Sequence, residues 1–287
     1  MLHVAASGQQ PAKHLPLPPL PESCSAMSAT LALARLTAVD LLRQPATWLA
    51  LLIGAALLGL SLVFGMFSFA EADRMRMLCS AGIAVHALVA LFVGVVGATI
   101  AVHRELADRT ALTLLAKPLS RASFLVGKAG GVLAAVALCG LLLALLHIAC
   151  VHLGSITGFE FDRGHGHRNP EDIVPIPWLS LLGGHALALA QAACLSCLAV
   201  VLALRLGLAG NIIACFGAWI VAHLLPQLGL HGAVVLPALD LLAADDAAQV
   251  EGGLPLTAVA VGLSYACLWC SGVLALGLAL FERQDIP

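Results

Sequence analysis

Charge is scarce in this chain. Fourteen Lys and Arg and sixteen Asp and Glu are scattered over 287 residues, 10% of the total, while 61% of the chain is hydrophobic. A soluble domain carries closer to a quarter charged residues. The mean hydropathy is +1.00. Six windows, 44–70, 77–103, 129–159, 173–204, 206–239 and 252–281, contain no Asp, Glu, Lys or Arg at all. A membrane span needs roughly 20 apolar residues to cross about 30 Å of hydrocarbon, and each window is long enough. A charge at mid-bilayer costs several kcal/mol, which accounts for the clustering. A soluble bundle would need polar faces on most of its helices, and these windows have none. The expected fold is an all-α polytopic membrane protein with six transmembrane helices, near 46–66, 78–102, 129–151, 178–204, 206–225 and 254–281.

Other absences narrow the function. The phosphate-binding loop G-x-x-x-x-G-K-[ST] is missing: Gly127-Lys128 is followed by Ala129, and Ala122 stands where the first Gly belongs. ATP therefore has no visible site here. A secretory leader is not expected, because no apolar run of useful length follows Lys13. Disulfides are not expected, since only Cys79 and Cys150 of the nine Cys fall near the outer face.

Lys and Arg set the orientation. With both termini in the cytoplasm, the inner side receives Lys13, Arg35, Arg43, Arg104, Arg109, Lys117, Arg121, Lys128, Arg205 and Arg283. The outer side receives only Arg74, Arg76, Arg163 and Arg168. This is the positive-inside bias, and it predicts a multi-pass membrane protein with both termini in the cytoplasm. Residues 1–26 are Pro-rich and expected to be disordered, ahead of one transmembrane domain at 27–287. In residues 28–44, Arg35, Asp40 and Arg43 share a side while Leu31, Leu36, Val39 and Leu42 fill the rest. That pattern predicts a helix lying on the inner leaflet and ended by Pro45. The fourth and fifth spans, joined only by Arg205 and its neighbours, predict a tight hairpin. The apolar stretches in 226–253 are too short to span and predict a re-entrant or surface element.

Eleven His is a high count. His86, His147, His185 and His223 fall inside spans, where ionisable groups are often functional and neutral imidazoles also simply link helices. No two of them sit at evidently matched depths. His185 and Gln191 are the most polar pair in one span and the first candidates for a substrate path. The outer segment holds His152, Glu160, Asp162, His165, His167, Glu171 and Asp172, a possible divalent-metal set, though a Gly-His-Gly-His loop reads more simply as solvated. Cys194-Leu-Ser-Cys197 and Cys267-Leu-Trp-Cys270 fall in mid-span, where Cys acts as a small apolar residue. A zinc site would need two further ligands on a turn. No metal site is assigned.

The stretch 103–128, HRELADRTALTLLAKPLSRASFLVGK, carries five basic residues between two charge-free runs. Arg104, Glu105, Asp108 and Arg109 make a charged face on a helix from His103 to Ala116. Leu106, Leu112, Leu114 and Leu115 make its apolar side. Pro118 stops that helix and Ser120 is placed to cap the next. Glu105, Arg109-Thr110, Leu114-Leu115, Ala116, Pro118, Ser120-Arg121, Phe124 and Gly127-Lys128 together resemble the type 2 ABC-transporter permeases. So do the outer phrase 236–250 and the closing FERQD. Arg109 stands where many members have Gly.

The resemblance implies a specific arrangement. Arg104, Glu105, Asp108, Arg109, Thr110, Leu112, Leu115, Pro118 and Arg121 would belong to a cytoplasmic coupling helix and its flanks, docking on a separate ATPase subunit. That partner would hold ATP and Mg, and this chain no cofactor. Two permease copies, identical or siblings, would form the path in the lipid bilayer, and export is the usual direction. The chain itself is not expected to be an enzyme, and nucleic acid is not an expected partner. The alternative is a His-rich membrane redox or metal- or haem-binding subunit with no ATPase.

Overall fold

The computed structural model describes residues 22–64, 71–107, 120–157, 176–229, 236–243 and 253–283. Among them are seven α-helices: α1 (Glu22–Leu42), α2 (Pro45–Phe64), α3 (Glu71–Ala107), α4 (Arg121–Thr157), α5 (Trp178–Leu202), α6 (Leu208–Gln227) and α7 (Leu256–Glu282). A 3-10 turn, Leu239–Leu242, precedes α7. The helices α2 to α7 are each long and apolar enough to cross a membrane. The protein is an all-α polytopic membrane protein.

Two helices outrun the expected spans. α3 and α4 have 37 residues each, about 55 Å at 1.5 Å per residue, against about 30 Å of hydrocarbon. Their extra turns carry the flanking charges, including Arg74 and Arg76 at one end of α3 and Arg104 and Glu105 at the other. Helical backbone bonding does not stop at the hydrocarbon boundary, so the absence of charge marks the buried part of a helix and not its ends.

α5 is the most enclosed span, and α6 and α7 are the least. The largest interface between spans lies between α3 and α5. The outward faces of α2, α6 and α7 are rows of apolar side chains, among them Leu52, Ile213 and Leu268, as expected where a helix meets lipid.

α1 is the expected N-terminal helix with an earlier start. It begins at Glu22, ahead of Met27, and packs along the first turns of α4. Leu33, Thr37 and Leu41 form its buried ridge. Gly127 leaves room for Leu33, Gly131 for Thr37 and the Ala34 carbonyl, and Gly97 of α3 for Leu41. Those glycines let the helix pack closely against α3 and α4. A two-residue turn follows. Thr47 Oγ1 donates to the Leu41 carbonyl at 2.8 Å, and Pro45 opens α2 at the first position, where its missing N–H is of no consequence.

The α4 start matches its sequence signal. Ser120 Oγ accepts the Ser123 backbone N–H at 3.1 Å, an N-cap bond. The α5–α6 connection is as short as expected, five residues long. The segment before α7 folds back on the bundle: Leu239 and Leu242 are buried, and the Ala238 N–H donates to the Tyr265 hydroxyl at 2.7 Å. The Leu254 N–H likewise donates to Ser180 Oγ at 2.7 Å.

Candidate functional site

Three helices bring three buried histidines together. His86 of α3, His147 of α4 and His185 of α5 are each at most 4% exposed. His86 Nδ1 lies 2.5 Å from His185 Nδ1. His185 Nε2 lies 3.0 Å from His147 Nδ1. His147 Nε2 lies 3.0 Å from the Leu78 carbonyl oxygen.

One proton arrangement satisfies this chain with every ring neutral. The Leu78 carbonyl only accepts, so His147 Nε2 carries a proton and His147 Nδ1 is bare. His185 Nε2 then donates to it, which leaves His185 Nδ1 bare. His86 Nδ1 donates in turn, and His86 Nε2 keeps a free lone pair. The hydrogen bond that each ring makes through one nitrogen fixes the state of the other. His86 Nε2 has no hydrogen-bond partner.

Small residues make the cluster possible. A Cβ at Gly82 would collide with the His147 ring, and one at Gly140 would stand 2.6 Å from His86 Nε2 and press on Leu189. Both glycines sit in helices, where Gly is unfavourable by about 1 kcal/mol relative to Ala, so their place here reflects close approach.

The reading that no His positions match in depth is corrected by this geometry. Relative depth depends on how each helix is set against its neighbours, which no single segment records. His185 and Gln191 turn to different neighbours. Six residues at 100° each put them about 240° apart around the helix. His185 faces α3 and α4, whereas Gln191 Nε2 faces His223 Nε2 of α6 at 3.4 Å. His223 Nδ1 meets the Trp219 carbonyl at 3.3 Å.

A second polar node, which the sequence reading missed, lies further along α3. Asn211 of α6 is fully buried. Its amide donates to Thr99 Oγ1 at 2.8 Å and to the Ala199 carbonyl at 3.0 Å. Thr99 Oγ1 donates to Val95 O at 2.7 Å. One side chain thus joins α3, α5 and α6. The signal was present as a lone Asn in an apolar span, where a polar side chain needs partners on another helix.

At the end of the bundle where α3, α5 and α7 finish and α4 begins, the ion pair Glu105–Lys128 closes at 2.5 Å. Arg121 Nη1 donates to the Phe281 and Glu282 carbonyls at 2.6 and 3.0 Å, and its guanidinium lies 5.4 Å from the Phe281 ring centre. A cation over the last carbonyls of α7 is the favourable sign for a helix C-terminus.

Of the residues expected to touch a partner, Arg104 is exposed, while Glu105 and Arg121 make the internal contacts just given. Asp108, Arg109, Thr110, Leu112, Leu115 and Pro118 lie outside the described residues. So do all members of the outer His and carboxylate set except His152. Among the described residues no three His, Cys, Asp or Glu side chains converge on a metal position.

The two Cys-x-x-Cys pairs do meet, which helical spacing alone did not show. Cys194 of α5 and Cys270 of α7 have their sulfurs 3.9 Å apart. Cys267 and Cys270 line the edge of an apolar cleft between α4, α5 and α7.

No protein-family model matches this chain, and no curated protein matches it significantly.

Proposed function

We propose that the chain is the membrane-spanning permease subunit of an ABC transporter, resident in the plasma membrane with both termini in the cytoplasm. The observation that carries this reading is the 103–128 segment, which resembles the coupling region of the type 2 permeases between two long spans. The positive-inside distribution supports the orientation. In this reading ATP and Mg bind to a separate ATPase subunit, two permease copies form the path, and export is the direction.

The Glu105–Lys128 pair gives the reading a mechanical basis. Glu105 lies in the last turn of α3 and Lys128 two turns into α4. The pair clamps both helices where the intervening segment leaves and returns, so a push on that segment by a partner would reach both helices. Those helices carry His86 and His147, two members of the histidine chain. A tilt of α3 against α4 and α5 would break and remake these hydrogen bonds as a unit.

The test is a pull-down of the tagged chain from its native membrane. A stoichiometric nucleotide-binding ATPase is expected, and Leu112→Asp or Arg109→Glu is expected to release it without lowering the amount of permease in the membrane. Recovery of the chain with no nucleotide-binding partner would overturn the proposal.

A further inference from the structure

The cleft between α4, α5 and α7 has a volume of about 450 Å³ and is walled by apolar residues, among them Val136, Ala137, Leu189, Ala193 and Leu263. That size is within the range of small-molecule sites. No charged side chain lines it. Leu189 belongs to this wall, and it is also the side chain that packs beside Gly140 at His86 Nε2. Leu189 thus stands near both the cleft and the free lone pair of the histidine chain. His86 itself is fully buried, and its Nε2 is a buried nitrogen with no partner.

We propose that this cleft is a binding site for an uncharged amphiphile, an elongated apolar molecule with one hydroxyl that donates to His86 Nε2 when Leu189 turns aside. The apolar wall selects the body of the molecule. The absence of lining charge selects against anionic and cationic headgroups, whose burial without a partner is costly. The proton order of the histidine chain selects a donor over an acceptor, because His86 Nε2 has no proton to give. A hydroxyl there would complete a line of hydrogen bonds from ligand to His86, His185, His147 and the Leu78 carbonyl. This inference goes beyond the transporter reading and holds whether or not an ATPase drives the chain.

The test uses the purified full-length chain in nanodiscs with two photoreactive probes, a diazirine-bearing fatty alcohol and the hydrocarbon of the same length without the hydroxyl. The alcohol is expected to label peptides of α4, α5 and α7 about tenfold more strongly than the hydrocarbon, the ratio that corresponds to about 1.4 kcal/mol for one desolvated hydrogen bond. Ala193→Phe, which fills the cleft away from the histidines, is expected to remove the labelling of both probes there. His86→Phe keeps an aromatic ring but loses Nε2, and it is expected to bring the alcohol down to the hydrocarbon level while leaving the hydrocarbon unchanged. A collapsed bundle would change both. Equal labelling of the wild-type chain by the two probes, or alcohol labelling confined to other helices, would overturn the proposal even if His86→Phe failed to fold.

Discussion

Lys128 Nζ of α4 and Glu105 Oε1 of α3 lie 2.5 Å apart, with the side chains 5% and 17% exposed. The pair joins the last turn of α3 to α4 two turns past its start. Removing one partner of a buried pair strands the other charge, at about 3–5 kcal/mol. Lys128→Met is therefore expected to lower the unfolding midpoint in detergent sharply. The double variant Lys128→Met with Glu105→Leu is expected to recover most of the loss. A single variant as stable as wild type would show that the pair is not closed in the membrane.

Asn211 ties α6 to α3 and α5 through Thr99 and the Ala199 carbonyl. α6 has few other buried side chains, with Cys215 and Ala222 completing the set. Asn211→Leu is expected to cost about 1 kcal/mol and to free α6 first. Hydrogen exchange in nanodiscs should show faster exchange in 208–227 with α3 and α5 little changed. A uniform change across all helices would count against this local role.

The Cys194 and Cys270 sulfurs, 3.9 Å apart, are close enough to bond after a small side-chain adjustment, since a disulfide needs about 2.05 Å. A mild oxidant is expected to link α5 to α7. The link would hold the fragments together after cleavage between 229 and 253, and reductant would part them. Cys270→Ser should abolish it. Fragments that separate without reductant after oxidation would mean the two helices are not paired as described.

Gly82 and Gly59 make a controlled comparison. A Cβ at Gly82 would strike His147, while one at Gly59 meets nothing. Gly82→Ala is expected to destabilise by about 1–3 kcal/mol, the usual cost of overpacking. Gly59→Ala, on an open face, is expected to be neutral or to stabilise by up to about 1 kcal/mol through helix propensity. Thermal unfolding of the two variants side by side decides the matter, and equal midpoints would contradict the packing of α3 against His147.

Much of the architecture can be read along the chain. The empty-charge windows mark six spans because the cost of charge in hydrocarbon acts on each residue separately. Ser120 and Pro45 mark their helix starts because capping and proline geometry are local. Helix packing is another matter. α1 resembles a surface helix by its own pattern, and only the glycines of α3 and α4, far off in sequence, give it a groove. Residue 105 and residue 128 look like two separate charges until α3 and α4 are placed side by side.

The candidate site divides along the same line. Sequence alone determined that four histidines and two Cys-x-x-Cys pairs lie within apolar spans, because composition and helical spacing are properties of one segment. The tertiary structure alone decided that His86, His147 and His185 form a single hydrogen-bonded chain, that Gln191 faces elsewhere, and that Cys194 meets Cys270. Those relationships depend on the rotation and depth of each helix against its neighbours. Rotation and depth are set by where small residues allow close approach, a condition shared between segments and written in none of them singly.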